Sequence, residues 1–301
     1  MFQLFDTFTA LIKVKGTSRV YPVFLSVPGV YSLIQLTLSN PILNYCLPTY
    51  SSHNATIQTK FQLNQFQQYQ KMRQVDRTDY PRIFGIEMKL EMLMVGPFEE
   101  NCYLYWDEKS GKGVIVDPGD EAGRIIDTVL RAKFEPIAIL LTHGHGDHIG
   151  ALAEVKANWK LSVYIGKGEE GYLADPNLNG SAFFDFPIIA PQPDFIVEDE
   201  NVYRFDSIDL RVLSTPGHTA AGVCYLDESE GVLFCGDTLF QGSIGRTDLL
   251  GGSYEKLIDS IQKKILPLPD DIVCLPGHGP ATTVGAERTS NPFLIGKNRF
   301  A

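Results

Sequence analysis

His143, His145 and His148, with Asp147 among them, put three imidazoles and a carboxylate into six consecutive residues of the segment Thr142-His143-Gly144-His145-Gly146-Asp147-His148. Neutral imidazole is a common ligand for zinc and other first-row metals, and carboxylate suits the harder ions. Two glycines keep this loop thin, so neighbouring side chains can turn toward one point. Similar residues recur downstream: His218 follows Ser214-Thr215-Pro216-Gly217, Asp237 lies in Gly236-Asp237-Thr238, and His278 lies in Pro276-Gly277-His278-Gly279. Five of the six histidines of the 301-residue chain fall in these places. The sixth, His53, reads as a surface or loop residue.

Seven ligands suit two metal ions. One ion could take His143, His145 and His218, and a second Asp147, His148 and His278. Asp237 is the natural bridge, because a carboxylate has two oxygens. Such a set leaves positions open for water, the mark of a catalytic site and not of a closed structural one. Two ions about 3.5–4 Å apart hold a hydroxide and stabilise an oxyanion, and bound water reaches a pKa near ~7. A structural zinc site would use four of these ligands and leave three beside it without a task.

Each motif follows a short apolar run. Residues 136–141 read as a buried strand ahead of the histidine cluster, and 149–159 have helical spacing behind it. The cluster therefore sits on a strand-to-helix loop, where ligands gather at the carboxyl end of a strand. Further strands are expected at 90–95, 102–106, 113–117, 161–165, 195–197, 203–205, 210–213, 222–226, 232–235 and 271–275. Helices are expected at 121–133, with acids at its start, and at 254–265. Residues 176–193, punctuated by Pro and Asn, read as loop. Strands in runs with helices between the halves suggest an α+β protein of two packed sheets with helices outside.

The chain changes character near Met88. Residues 1–87 hold eight Lys/Arg against four Asp/Glu, and residues 88–301 hold 18 against 32. Only three of the 27 glycines precede position 88. Two parts are expected: an N-terminal extension, 1–87, poorly ordered or a leader from an upstream start codon, and a catalytic domain, 88–301. The extension carries no motif with evident chemistry, although 61–74 is glutamine-rich with a loose apolar side. The net charge of −10 argues against a protein that mainly grips nucleic-acid phosphates. No apolar run approaches the roughly 18 residues of a membrane helix. Five scattered cysteines without a CxxC pair point to free thiols in a reducing, cytoplasmic setting.

Taken together, HxHxDH, a later His, an Asp and a last His in this order resemble the metallo-β-lactamase superfamily over about residues 88–280. The resemblance implies a four-layer αββα sandwich with a dinuclear site at the edge of its two sheets. It implies His143, His145, His218, Asp147, His148, Asp237 and His278 as ligands, with Asp147 and Asp237 as the catalytic carboxylates. Asp117, in Asp117-Pro118-Gly119-Asp120, matches the family's first acidic position and is expected to hold a ligand imidazole from behind. Thr219 is expected either to hydrogen-bond around the site or to cap its turn.

Three details narrow the branch. The bridging position is Asp237 and not the cysteine of the main zinc β-lactamases; Cys235, two residues earlier, reads as core. The residue two after His143 is His145, not the Glu of the flavo-diiron reductases. The segment Phe240-Gln241-Gly242-Ser243-Ile244-Gly245-Arg246-Thr247-Asp248 is similar to short relatives of glyoxalase II, the hydroxyacylglutathione hydrolases. Long glyoxalase II proteins add a helical domain that binds glutathione; here 23 residues follow His278. The resemblance thus implies a thioesterase for a small thioester or ester, acting through a hydroxide between two divalent ions, zinc first, with iron or manganese as alternatives. Arg246 is expected either to hold an anionic part of the substrate or to pair with Asp248. A small-molecule substrate is expected, and neither nucleic acid nor membrane. Two other activities fit the scaffold: a persulfide dioxygenase with one iron on His143, His218 and Asp237, and a nuclease or phosphodiesterase.

Overall fold

The computed structural model describes residues 7–13, 20–26, 33–37, 44–48, 88–183 and 187–295. Within the first 87 residues, strands β1 (Thr7–Lys13) and β2 (Val20–Ser26) form one antiparallel hairpin. Strands β3 (Leu33–Thr37) and β4 (Asn44–Pro48) form another. His53 and the glutamine-rich stretch 61–74 lie outside the described residues.

The first sheet of the main body begins with an antiparallel meander of β5 (Met88–Val95), β6 (Glu100–Asp107) and β7 (Lys112–Val116). It continues in parallel through β8 (Glu135–Leu141), β9 (Ser162–Gly166) and β10 (Phe195–Val197). Parallel neighbours need a crossover, usually a helix. Here helix Ala122–Ala132 joins β7 to β8, and helices Gly146–Ile149 and Leu152–Trp159 join β8 to β9. Ile125 and Val129 of the first crossover and Leu152 and Val155 of the last pack on Leu104, Ile115, Ile139 and Val163 of the sheet's outer face.

The second sheet is an antiparallel run of β11 (Val202–Phe205), β12 (Ile208–Ser214), β13 (Val223–Asp227) and β14 (Val232–Gly236). Strand β17 (Val273–Pro276) adds in parallel after helix Tyr254–Ser260 and the π-turn Ile261–Ile265, and β18 (Thr282–Thr283) closes the edge. The short hairpin of β15 (Leu239–Phe240) and β16 (Ser243–Ile244) stands apart. Leu257, Ile258, Ile261 and Ile265 cover the outer face of this sheet with Leu213, Cys224 and Leu233.

Between the sheets, Tyr103, Tyr105, Val114 and Leu140 meet Val212, Tyr225, Phe234 and Leu275. Phe234 receives the edges of Tyr103 and Tyr105, with ring centroids 5.6 and 5.4 Å away, an arrangement aromatic quadrupoles favour. The layers are thus helix, sheet, sheet, helix: the metallo-β-lactamase fold, with every expected strand in place. The periodicity did not announce helices Glu170–Ala174, Val284–Ser290 and Pro292–Ile295. They are short and carried by tertiary packing, with a Thr283 cap on Val284–Ser290, rather than by a long apolar stripe. Glu121, expected inside its helix, stands just outside it at φ 53°. Among the described residues no helix is long and apolar enough to cross a membrane.

Candidate metal centre

Strands β7, β8, β12, β14 and β17 each stop in the turn that carries one of the expected motifs, and these ends lie at one edge of the sandwich. His143, His145, Asp147, His148, His218, Asp237 and His278 converge there. In three sets, His143–His145–His218, His143–His148–Asp237 and Asp147–His148–His278, the ligand atoms lie within 4.8 Å of one another.

Hydrogen bonds decide which nitrogen of each ring faces inward. A neutral imidazole has one donor and one acceptor nitrogen. The Thr142 hydroxyl donates to Asp117 Oδ2 at 2.6 Å, so it accepts at 3.1 Å from His143 Nδ1. His148 Nδ1 donates to Asp117 Oδ2 at 3.0 Å. His218 Nδ1 donates to the Arg246 carbonyl at 2.7 Å, and His278 Nδ1 to the Phe98 carbonyl at 3.0 Å. All four rings therefore spend their proton outward and present Nε2 as a lone pair to the interior. His145 presents Nδ1, 3.1 Å from His143 Nε2 and 3.0 Å from His218 Nε2. One N–H cannot serve two such lone pairs at once, so three nitrogens this close are arranged for a cation.

Asp237 stands between the clusters. Its Oδ1 lies 3.5 Å from His148 Nε2, and its Oδ2 lies 3.4 Å from His218 Nε2 and 3.6 Å from His278 Nε2. Asp147 Oδ2 is 3.3 Å from His278 Nε2. The approach is tight: a Cβ on Gly277 would come within 2.3 Å of Asp237 Oδ1, so only glycine fits before His278. A Cβ on Gly144 would likewise lie 2.3 Å from that of Tyr172, which is why the loop between the first two histidines must be thin.

The electrostatics divide the site. Burial, reinforced by neighbouring imidazoles, holds His143 well below its usual range, and burial with His218 pushes His145 down to about 3. These rings are neutral, as ligands must be. Burial disfavours charge on His148 too, but Asp237 and Asp117 overcome it and raise its pKa; at His278 burial is overcome by Asp147 and Asp237. Burial would raise Asp237, yet His148 and then His218 hold it well below the carboxylate range. The carboxylate side thus stabilises positive charge. His148 Nε2 and Asp237 Oδ1 are buried with no hydrogen-bond partner, a condition that costs about 1–3 kcal/mol per group unless something fills it. The donor set and these orphaned atoms fit a pair of divalent cations.

Asp117 lies behind the cluster: one oxygen accepts the Thr142 amide at 2.8 Å, and the other the Thr142 hydroxyl and His148. The Thr219 carbonyl accepts the Gly217 amide at 2.8 Å, within the turn that carries His218. Arg246 pairs with Asp248, one of its two expected roles. Its guanidinium is held in bidentate fashion by Asp248, at 2.9 and 3.0 Å, and its main-chain carbonyl is what meets the site. The pairing is local, between residues two apart on an exposed loop.

The sequence reading passed over three residues. Thr142 links Asp117 to His143. Glu100, wholly buried at the start of β6, sits 3.9 Å from His148 Nδ1, its carboxyl raised by burial. Glu169, also wholly buried, accepts the amides of Gly144 and Ala221, each at 3.0 Å. Thr142 adjoins the histidine motif and could have been suspected. The two glutamates look like surface acids until the fold is known.

Residues 95–278 match the family described as the metallo-beta-lactamase superfamily. The chain belongs to that superfamily. It is 42% identical over 211 residues to the "Probable metallo-hydrolase YqgX" of Bacillus subtilis (strain 168), covering 69% of this chain and 99% of that protein. To the "Hydroxyacylglutathione hydrolase GloC" of Haemophilus influenzae it is 38% identical over 213 residues, covering 70% of this chain and 100% of the relative. Among solved structures, BLEG-1 B3 metallo-beta-lactamase superposes with a TM-score of 0.67 at 41% identity, covering 69% of this chain and all of that one. TTHA1623 in a di-iron-bound form superposes with a TM-score of 0.62 at 35% identity, covering 68% and 100%. Membership in this superfamily, with a probable metallo-hydrolase among its relatives, supports a metal-dependent hydrolase, and the His/Asp groups could hold the metal.

Proposed function

We propose that this protein hydrolyses a small thioester or ester in the manner of glyoxalase II, with two divalent metal ions, zinc first and iron or manganese as alternatives. The observation that carries the reading is the common orientation of four rings. His143, His148, His218 and His278 each spend their N–H on a protein acceptor and aim Nε2 at the space around Asp237. His143, His145 and His218 would hold one ion and Asp147, His148 and His278 the other, with Asp237 serving both. When bound, such a pair supplies a water-derived nucleophile at neutral pH and stabilisation for an oxyanion.

The chain supplies the rest. The three-histidine side is closed, with His143 2% and His218 5% exposed, whereas Asp147 and His278 side chains are 24% and 26% exposed. The substrate carbonyl accordingly approaches from the Asp147–His278 side. The Phe240 ring stands edge-on to His278, centroids 6.2 Å apart, and Phe98, which orients His278 through its carbonyl, is exposed beside it. That rim suits a short acyl group. Likeness to the Haemophilus hydroxyacylglutathione hydrolase supports thioester chemistry. Cys102, Cys224, Cys235 and Cys274 are free and buried, in keeping with a reducing cytoplasm.

The test is a hydrolysis panel of acyl-glutathione and simple alkyl thioesters, lactones, a β-lactam and a phosphodiester, with metal content measured on the same sample. Turnover of thioesters above the other classes, with two ions per chain, is the expected result. One iron per chain with oxygen uptake would replace the hydrolase reading by the persulfide dioxygenase; preferred cleavage of the phosphodiester would replace it by a nuclease.

A further inference from the structure

Glu169 stands three residues past the end of β9 and just before helix Glu170–Ala174, and its side chain is wholly buried. Among the described residues no Lys or Arg forms an ion pair with it. A carboxylate in that position is costly unless its charged form is hydrogen-bonded. Its two oxygens are divided between two loops. Oε2 accepts the Gly144 amide and Oε1 the Ala221 amide, both at 3.0 Å. Gly144 lies between His143 and His145, on the loop that leaves the first sheet. Ala221 lies three residues past His218, on the loop between β12 and β13 of the second sheet. The two loops are 73 residues apart from His145 to His218, yet their ring nitrogens must meet at 3.0 Å.

We propose that Glu169 is the positioning residue of the three-histidine cluster: its carboxylate, tied to the Gly144 and Ala221 amides, sets the distance of His143 and His145 from His218. This rests on reading that cluster as a cation site. Glu169 thereby governs affinity at His143–His145–His218 and leaves the Asp147–His148–His278 side, anchored instead by Asp117 and the Phe98 carbonyl, with its own support. The fold does not depend on this tie, because the Val223 amide still donates to the Thr142 carbonyl at 2.8 Å and the Tyr225 hydroxyl to the Leu141 carbonyl at 3.0 Å.

The experiment is a zinc titration of the full chain and of Glu169→Gln and Glu169→Asp, against a competing chromophoric chelator, with thermal unfolding alongside. In Glu169→Gln the side-chain amide sets an NH2 against one of the two backbone N–H groups, so one loop is repelled. One zinc equivalent should weaken by roughly 10–100-fold, the span typical of groups that orient ligands, while the other keeps its affinity. Glu169→Asp, which keeps the charge with a shorter reach, should fall between wild type and Gln. Wild-type affinity for both ions with only a lowered Tm would overturn the proposal, as would equal loss of both ions or failure of both variants to fold. A wild-type chain that binds no divalent ion at all would instead sink the metal reading of the whole centre, and this proposal with it.

Discussion

Asp117→Asn probes the hydrogen-bond argument at its base. Three donors reach the Asp117 carboxylate: the Thr142 amide at 2.8 Å, the Thr142 hydroxyl at 2.6 Å and His148 Nδ1 at 3.0 Å. An asparagine keeps one acceptor oxygen. If its NH2 takes the Oδ2 position, it donates to His148 Nδ1 and drives the ring proton onto Nε2, the ligand atom. If the amide is turned the other way, its NH2 opposes the Thr142 N–H. Either orientation leaves one buried donor unpaired, at about 1–3 kcal/mol. At 1.4 kcal/mol per decade this predicts roughly 10–100-fold weaker binding of the ion at Asp147–His148–His278, the same span seen for partners of metal-bound histidine. The three-histidine ion should weaken less, because Asp117 reaches His143 only through Thr142. Stepwise zinc titration with a competing chelator, at pH 7, reads both affinities. Affinities of the variant within twofold of wild type at both ions would refute the idea that Asp117 fixes the His148 tautomer.

Asp237→Ala removes the one carboxylate that faces both clusters, so at least one ion equivalent and essentially all thioester turnover should be lost, read by metal analysis and a thiol-release assay. His143 and His145 are held neutral by burial, His145 down to about 3. What these rings contribute is therefore fully present above about pH 6.5, the unperturbed histidine value, and is lost as pH falls toward 3. Metal retained after dialysis should fall first at the Asp147–His148–His278 side, whose rings take up protons more readily, and the three-histidine ion, on rings that stay neutral toward pH 3, should leave last. His148 and His278, whose pKa values the carboxylates raise, act in the opposite sense in the metal-free chain. Because Asp248 already engages Arg246, Arg246→Ala should leave metal content unchanged and alter KM for a neutral thioester less than threefold; a larger KM effect confined to anionic substrates would restore it as a substrate group. Glu287, wholly buried near the C-terminus, accepts the Gly242 amide at 2.9 Å, the Thr282 hydroxyl at 2.6 Å and Asn291 Nδ2 at 2.7 Å. Glu287→Ala should lower Tm by several degrees, at about 1–3 kcal/mol per stranded donor, and loosen the hairpin that carries Phe240.

The seven candidate ligand positions stood out in the chain because metal binding restricts residue type, and because each lies in a Gly-containing turn after an apolar strand. The same strands, read by their runs and interruptions, were enough for two sheets with helices outside. The short helices beyond β18 and the β15–β16 hairpin escaped, since they are held by caps and by Glu287, not by a pattern of their own. What orients the rings was beyond the sequence. The Phe98 and Arg246 carbonyls accept from His278 and His218, and every residue has a carbonyl, so no residue type marks the role. Glu100 and Glu169 are ordinary acids in the chain and become buried groups beside the metal centre only when the two sheets pack. Sequence thus determined which atoms could bind cations; only the folded chain decided which nitrogen of each ring faces inward, because that choice belongs to hydrogen-bond partners between 28 and 180 residues away for His148, His218 and His278, within one sheet's loops for the first two and across the two sheets for His278.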